Sequence, residues 1–403
     1  MKKIAVIGSG ISGLAAAYYL SRKHEVWLFE KEARLGGHTN TVTVESSRGP
    51  VPVDTGFIVH NDLTYPNLVK LFSELGVETA PSDMSFAVTD RGTGFEYSSR
   101  GLNGFFAQRK NAFAPAHYRL LKEIMRFNRE APKAIDTDVT LGEFVADYDE
   151  RFVRRYLYPM ASAVWSMSPG DMNSFPAGTL IRFFQNHGML GIATHPRWKV
   201  VKGGSNRYID PLTAPYRQRI ATGADIRSIT RLENHVIVQG RWFDEVVFAC
   251  HGNQILPMLA DATDRERDVL KNFKTSKNDV CLHTDSSLLP RRKQAQASWN
   301  YNLDGHSGAT VTYHMNRLQS LRTEEDYCVT LNANGNIRHD KILRRMTYYH
   351  PLYNKEAIRA QSRWSEISGV RRTHFCGAYW FYGFHEDGLN SALRVARALG
   401  VSC

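Results

Sequence analysis

The order of apolar and polar positions divides the chain into segments of two different periods. Ile4 to Ile7 is an unbroken apolar run of strand length, and it leads through a glycine-rich turn into Ser12 to Ser21, which predicts a helix. Val26 to Phe29 predicts a second strand ending at Glu30, and Val51 to Val59 a third. Leu68, Leu71, Phe72 and Leu75 fall at helical spacing within Tyr65 to Leu75, with Gly76 as the stop. Beyond about Pro81 a hairpin of Ser85 to Thr89 and Gly94 to Ser98 precedes long helical stretches at His117 to Ala131, Leu141 to Tyr148 and Phe152 to Met167. Strand patterns return at Ala224 to Ile229, His235 to Val238, Arg241-Trp242 and Glu245 to Cys250, and short alternating ones at Val280 to His283, Ala297 to Tyr301, Ala309 to His314 and Tyr327 to Leu331. A strand at Arg372 to Cys376 and a helix at Leu389 to Leu399 follow.

The first turn already specifies a ligand. Gly8, Gly10 and Gly13 have the spacing G-x-G-x-x-G directly after a strand and at the start of a helix. In that context Gly8 makes the tight turn, Gly10 lets the backbone approach a pyrophosphate, and Gly13 lets helix and strand pack closely. The phosphates are expected over the helix start around Ile11 and Ser12, where unpaired N–H groups favour an anion. Glu30, at the end of the second strand, stands where a carboxylate takes the ribose hydroxyls of an adenosine.

Composition narrows the classes. The 403 residues, 42% hydrophobic and 23% charged, suit two interleaved domains of an ordinary globule. The chain contains no apolar run of membrane-spanning length, and Lys2 and Lys3 before the first strand do not make a secretory signal, because glycines interrupt the apolar run. The five cysteines, Cys250, Cys281, Cys328, Cys376 and Cys403, are odd in number and scattered, which argues against a disulfide framework and against a zinc site; a reducing cytoplasm is expected. A net charge of +11 leaves anionic lipid or acidic substrates as partners, and without a recognised binding module no nucleic acid is expected.

After Glu30 and Lys31 the chain reads Arg34-Leu35-Gly36-Gly37-His38, and later Asp54-Thr55-Gly56-Phe57, Lys202-Gly203-Gly204 and Gly377 to Gly388. These segments, in this order, resemble the flavin amine oxidase, phytoene desaturase and protoporphyrinogen oxidase superfamily across essentially the whole chain. The resemblance implies an α/β fold, with a discontinuous Rossmann-type FAD-binding domain (1–80, 197–260 and 366–403) interleaved with an α+β substrate domain (81–196 and 261–365). It also implies that Arg34 meets the pyrophosphate, that Gly36 and Gly37 pass beneath the flavin with His38 among the cofactor-binding residues in a role left open, and that Thr55, Gly56 and Phe57 lie close to the flavin. The backbone of Ile226 is then at the adenine, Ala249 beside the cofactor, and Gly377, Ala378, Asp387 and Gly388 at a second helix start facing it. Ala378 departs from the family, which usually carries Asp there.

The wording GGHTNTV, DTGFIVHNDLTYPNL, LHTD, SWNY and GFHEDGLNSAL is similar to bacterial flavoproteins associated with cyclopropane- and furan-fatty-acid formation. What this implies is an FAD-dependent oxidoreductase that dehydrogenates a methyl-branched phospholipid acyl chain by hydride transfer to flavin N5, peripheral on the inner face of the membrane. Amine oxidation and a silent flavoprotein partner of a lipid methyltransferase are the alternatives. The proton acceptor is expected at His385 or Glu386, because an imidazole titrates near neutrality. An apolar pocket is expected from Trp299, Tyr301 and Phe384, with His283, His314 and Tyr348 as further candidates. Phe384 stands where amine oxidases often have tyrosine.

Overall fold

In the computed structural model, which describes residues 1–191, 196–303 and 310–402, two sheets carry the fold. Ala309, the start of one predicted strand, and Cys403 lie outside the described residues. The first sheet is parallel, in the order Ile220–Ala221, Glu25–Phe29, Lys3–Ile7, Glu245–Phe248 and Thr373–Phe375. Counted along the chain this is 3-2-1-4-5, so the order reverses between Lys3–Ile7 and Glu245–Phe248, and ligands of such sheets bind at that switch point. The strands are apolar almost throughout because both faces are covered. One cover is the helix Ile11–Ser21, buried along nearly its whole length and packed against the helix His385–Ala398.

The second sheet is mixed. Its order is Ile342–Pro351, Thr275–His283, Cys328–Leu331, Thr310–His314, Trp299–Asn302, Phe86–Asp90 and Phe95–Ser98. Only the pairing of Trp299–Asn302 with Phe86–Asp90 is parallel. A second apolar core lies between this sheet and helices that include Pro115–Glu130, Tyr158–Trp165 and Ala177–Asn186.

Four predicted elements differ. Val51 to Val59 is two strands, Gly49–Asp54 and Val59–Asn61, because the chain bends at Thr55 and Gly56. Ala224 to Ile229 is not a strand: Gly223 and Ala224 donate to the carbonyls of Glu32 and Glu30 as the chain leaves the short strand Ile220–Ala221, and the next strand is Ile229–Arg231. Leu141 to Tyr148 is helical only over Leu141–Phe144, opened by a capping box of Thr140 and Glu143. Within Phe152 to Met167 a π-turn at Val153–Leu157 precedes the helix Tyr158–Trp165. Its cause is Pro159, which has no N–H for the carbonyl of Arg155; the Tyr97 hydroxyl donates to that carbonyl instead, at 2.6 Å.

Candidate active site at the junction of two helix starts

Gly8 closes the strand Lys3–Ile7 at the switch point with φ of +103°, and a Cβ there would lie 2.9 Å from the Cys250 nitrogen. A Cβ on Gly13 would lie 1.9 Å from the Gly8 carbonyl oxygen and 3.2 Å from the Ala249 Cβ, which is why small residues are needed where this helix crosses the ends of the two strands. Gly10 is different: nothing stands within 4 Å of where its Cβ would be. The helix beginning at Ile11 has no side-chain cap, so the N–H groups of Ile11, Ser12 and Gly13 point toward that open side.

The two-glycine turn docks on this one. Gly36 donates to the Ser9 carbonyl at 3.0 Å, and a Cβ on Gly37 would lie 3.0 Å from the Gly10 Cα. Glu30 is held in place by the Ser9 amide and hydroxyl at 2.8 and 2.6 Å and by the Glu32 amide at 2.8 Å. Lys31 stays exposed, 3.9 Å from Asp225. Arg34 donates to the carbonyls of Gly37 and Thr39, so part of its guanidinium braces the turn and the remaining N–H groups are left for an anion.

The bend at Asp54 to Phe57 meets the same turn. A Cβ on Gly56 would sit 2.1 Å from the His38 carbonyl oxygen, which also accepts from Phe57 N at 2.7 Å. Asp54, absent from the expected set, accepts from Thr41, Ser205 and Gln319; burial raises its carboxyl to about 6. Thr55 shares a hydrogen bond of 2.8 Å with the Tyr348 hydroxyl.

From the other end of the chain, Gly377 donates to Ser391 and turns into the last helix. That helix starts at His385 and not at Leu389, so His385, Glu386, Asp387 and Gly388 are its first turn. Ala378 lies in the bend before it and accepts from Phe381 and Gly383. A Cβ on Gly388 would be 2.7 Å from Ile11 Cγ2 and 2.9 Å from Ser12 Oγ. The two helix N-termini therefore converge, which concentrates backbone donors and positive dipole ends on one place. An open cradle at Gly10 and two converging donor sets fit the pyrophosphate of a dinucleotide. Ile226 is buried in the same core as the helix Ile11–Ser21.

Both expected proton acceptors are engaged within the fold. His385 stacks on Phe57 with ring centres 3.7 Å apart, and its Nε2 shares a hydrogen with Thr39 Oγ1 at 2.9 Å. Burial, with a smaller push from His60, lowers its pKa to about 3, so it stays neutral at physiological pH and is a poor proton acceptor there. Glu386 is not free either. Its oxygens accept from the amides of Asn67 and Leu68 at 3.0 and 2.9 Å and from the Asn67 side chain at 2.9 Å, which caps the helix Pro66–Glu74.

Asp387 titrates nearer neutrality. Its carboxylate accepts from Phe384 N at 2.9 Å, and burial, followed by the Glu386 charge, lifts its pKa to about 7. Folded protein then holds a proton that the unfolded chain releases near pH 4. Stability from this group is full below that pH and is lost as pH rises toward 7. The stability of the flavin-free protein against unfolding should fall across that window by up to about 1.4 kcal/mol per pH unit relative to Asp387→Asn. Urea titrations with parallel pH profiles for the two proteins would remove this assignment.

The rings packed on Phe384 are Phe183, stacked at 4.8 Å, His187 at 6.0 Å and Trp165 at 6.3 Å. Burial lowers His187 to about 4, so this wall is uncharged. Trp299 and Tyr301 lie instead within the mixed sheet, Trp299 edge-on to Tyr313 at 4.9 Å and Tyr301 in its core. His283 and His314 are likewise spent there, on Thr330 and Asp326. The sheet does reach the cofactor turn, through Tyr348 and His350, each 5.1 Å from the His38 ring. His251 is 6.1 Å away on another side. Burial, then the neighbouring His350, pushes His38 well below its ordinary range.

A parallel sheet in Rossmann order with these two helix starts at its switch point is a dinucleotide-binding fold, and its cradle fits FAD. The family model for flavin containing amine oxidoreductase matches residues 11–330, and the chain belongs to that family. A putative flavin-containing monoamine oxidase, AofH, of Mycobacterium tuberculosis is 28% identical over 244 residues, 57% of this chain and 51% of its own. The flavin-dependent L-tryptophan oxidase RebO of Lentzea aerocolonigenes is 25% identical over 260 residues, 59% of this chain and 54% of its own. The matched regions thus span about half the length of these relatives. Among solved structures, cyclohexylamine oxidase from Brevibacterium oxydans has a TM-score of 0.70 at 15% identity over 99% of this chain and 98% of its own. The CLA-producing fatty acid isomerase from P. acnes has 0.69 at 16% over 99% of both.

Proposed function

We propose that the protein dehydrogenates an apolar substrate, and that this substrate is a methyl-branched phospholipid acyl chain. The observation that carries the reading is the uncharged wall of Phe384, Phe183, Trp165 and His187. Bound FAD supplies the two-electron acceptor, at N5 of its ring. The protein's own part is to hold the acyl chain against that wall, exclude water, and keep the nearby imidazoles of His38, His350 and His385 neutral, so that no cation is buried beside a hydrocarbon. The fatty acid isomerase of the same fold is named for an acyl substrate, which makes such a ligand reasonable for this architecture.

Amine oxidation is the second reading, favoured by the names of the two curated relatives. A silent flavoprotein serving a lipid methyltransferase is the third. Under anaerobic conditions, vesicles of methyl-branched phospholipid should bleach the flavin absorbance while simple amines leave it unchanged. Bleaching by amines alone would replace the first reading with the second, and a flavin that no candidate reduces would favour the third. We also propose a cytoplasmic location, which the four free cysteines Cys250, Cys281, Cys328 and Cys376 suit.

A further inference from the structure

The helical lobe carries a surface that no part of the flavin site uses. It is built from the helix Gly101–Phe105, the turn Arg109–Phe113 and the helix Pro115–Glu130. Its inner side is fixed. The His117 ring packs on Phe105 at 4.1 Å and shares a hydrogen with the Phe105 carbonyl at 2.8 Å, while Phe127 packs on Phe152 at 5.5 Å. Its outer side is unusual: Phe113 is 90% exposed, Leu102 77%, Met125 55% and Tyr118 49%. Those are four of the eleven large apolar side chains so exposed among the described residues, and they fall within one short stretch of sequence. A chance scatter would not group them.

Charge says what covers this face. Residues 100–130 hold seven Lys or Arg and two acids, Glu123 and Glu130, which pair with Arg126 and Arg129. Arg109, Lys110, Arg119, Lys122 and Arg129 are exposed around the apolar tips. A shallow groove of about 530 Å³ runs between Phe113, Pro115, Tyr118, Arg119 and Lys122. Exposed apolar side chains interspersed with cations on long aliphatic stems are what an anionic bilayer surface selects, because the apolar tips enter the acyl boundary while the cations stay among the headgroups. The Tyr118 hydroxyl donates to the Ala112 carbonyl at 2.9 Å, so that polar atom is satisfied within the surface.

We infer that this face docks the protein on an anionic lipid bilayer, with Phe113, Leu102, Tyr118 and Met125 inserted and Arg109, Lys110, Arg119 and Lys122 on the headgroups. Docking is independent of what is oxidised, so it is measured without turnover and stands or falls apart from the substrate reading. The holoenzyme should float with phosphatidylcholine vesicles containing phosphatidylglycerol, should float poorly with phosphatidylcholine alone, and should be released by high salt. Phe113→Asp should weaken binding about ten-fold or more, and Lys110→Glu with Lys122→Glu at least about ten-fold. Leu232→Ser, an equally plain loss of an exposed apolar side chain elsewhere, should change nothing. Flavin content and melting temperature should match the parent protein throughout. In Phe113→Trp the tryptophan emission should shift to the blue on adding anionic vesicles. Unshifted emission, equal binding to neutral vesicles, or equal losses in Leu232→Ser would each overturn the inference, as would capture of this face by an acidic protein in the absence of lipid.

Discussion

Replacing Gly10 by valine is expected to give a folded, colourless protein. Gly10 has φ of −63° and ψ of 175°, backbone that valine adopts readily, and its Cβ position has no neighbour within 4 Å. The fold should therefore accept the side chain, which would then occupy the place where the pyrophosphate must approach the first helix. Loss of the ligand also removes its contribution to stability, about 2.7 kcal/mol when FAD is present at a hundred times its dissociation constant. Gly13→Ala is the contrasting case. Its Cβ would lie 1.9 Å from the Gly8 oxygen, so the turn itself must open, and little folded protein should be recovered. Absorbance spectra and urea unfolding of both variants separate the outcomes, and a yellow Gly10→Val protein would show that the dinucleotide lies elsewhere.

Arg231→Met should cost about 3–5 kcal/mol of folding stability. The Arg231 side chain is wholly buried, donates to Glu266 at 3.0 Å, to the Asp261 carboxylate at 3.0 Å and to Thr373 Oγ1 at 3.3 Å. It thereby joins the small hairpin sheet to the helix Asp264–Leu270 and to the last parallel strand. Glu266 is almost as buried, and although burial opposes its charge, hydrogen bonds and the Arg231 charge hold its carboxyl below the usual range. Removing Arg231 strands that carboxylate in a place water does not reach. A second change, Glu266→Gln, should return part of the loss, because the stranded charge is gone while an oxygen remains for the capping contact with Thr263. Additive losses in the double variant would mean that the pair is not coupled.

How much of this was legible in the residues depended on the range of the interaction. The Gly8 to Gly13 turn, its flanking strands and the last helix follow from local spacing, and the structure has all of them. The strand Ile342–Pro351 could not be read because it lies at the sheet edge with half of its positions exposed, including Arg344 and Arg345, so no apolar alternation marks it. Yet it brings Tyr348 and His350 to His38. The partners of Glu386 were hidden for another reason: a carboxylate at a helix start usually serves its own helix, and here it accepts from Asn67 and Leu68. His385 was judged by the proton affinity of an imidazole in water, while its burial is a property of the folded core. The rings that pack on Phe384, those of Phe183, His187 and Trp165, come from helices whose packing no local pattern dictates.

Because Gly388 closes on Ile11 and Ser12, the cradle is made from two segments far apart in the sequence. The first turn must therefore wait until the helix His385–Ala398 has emerged from the ribosome before the vitamin-derived group can be captured. Products of interrupted synthesis that lack the final helix would accumulate without pigment, however well their first turn is formed.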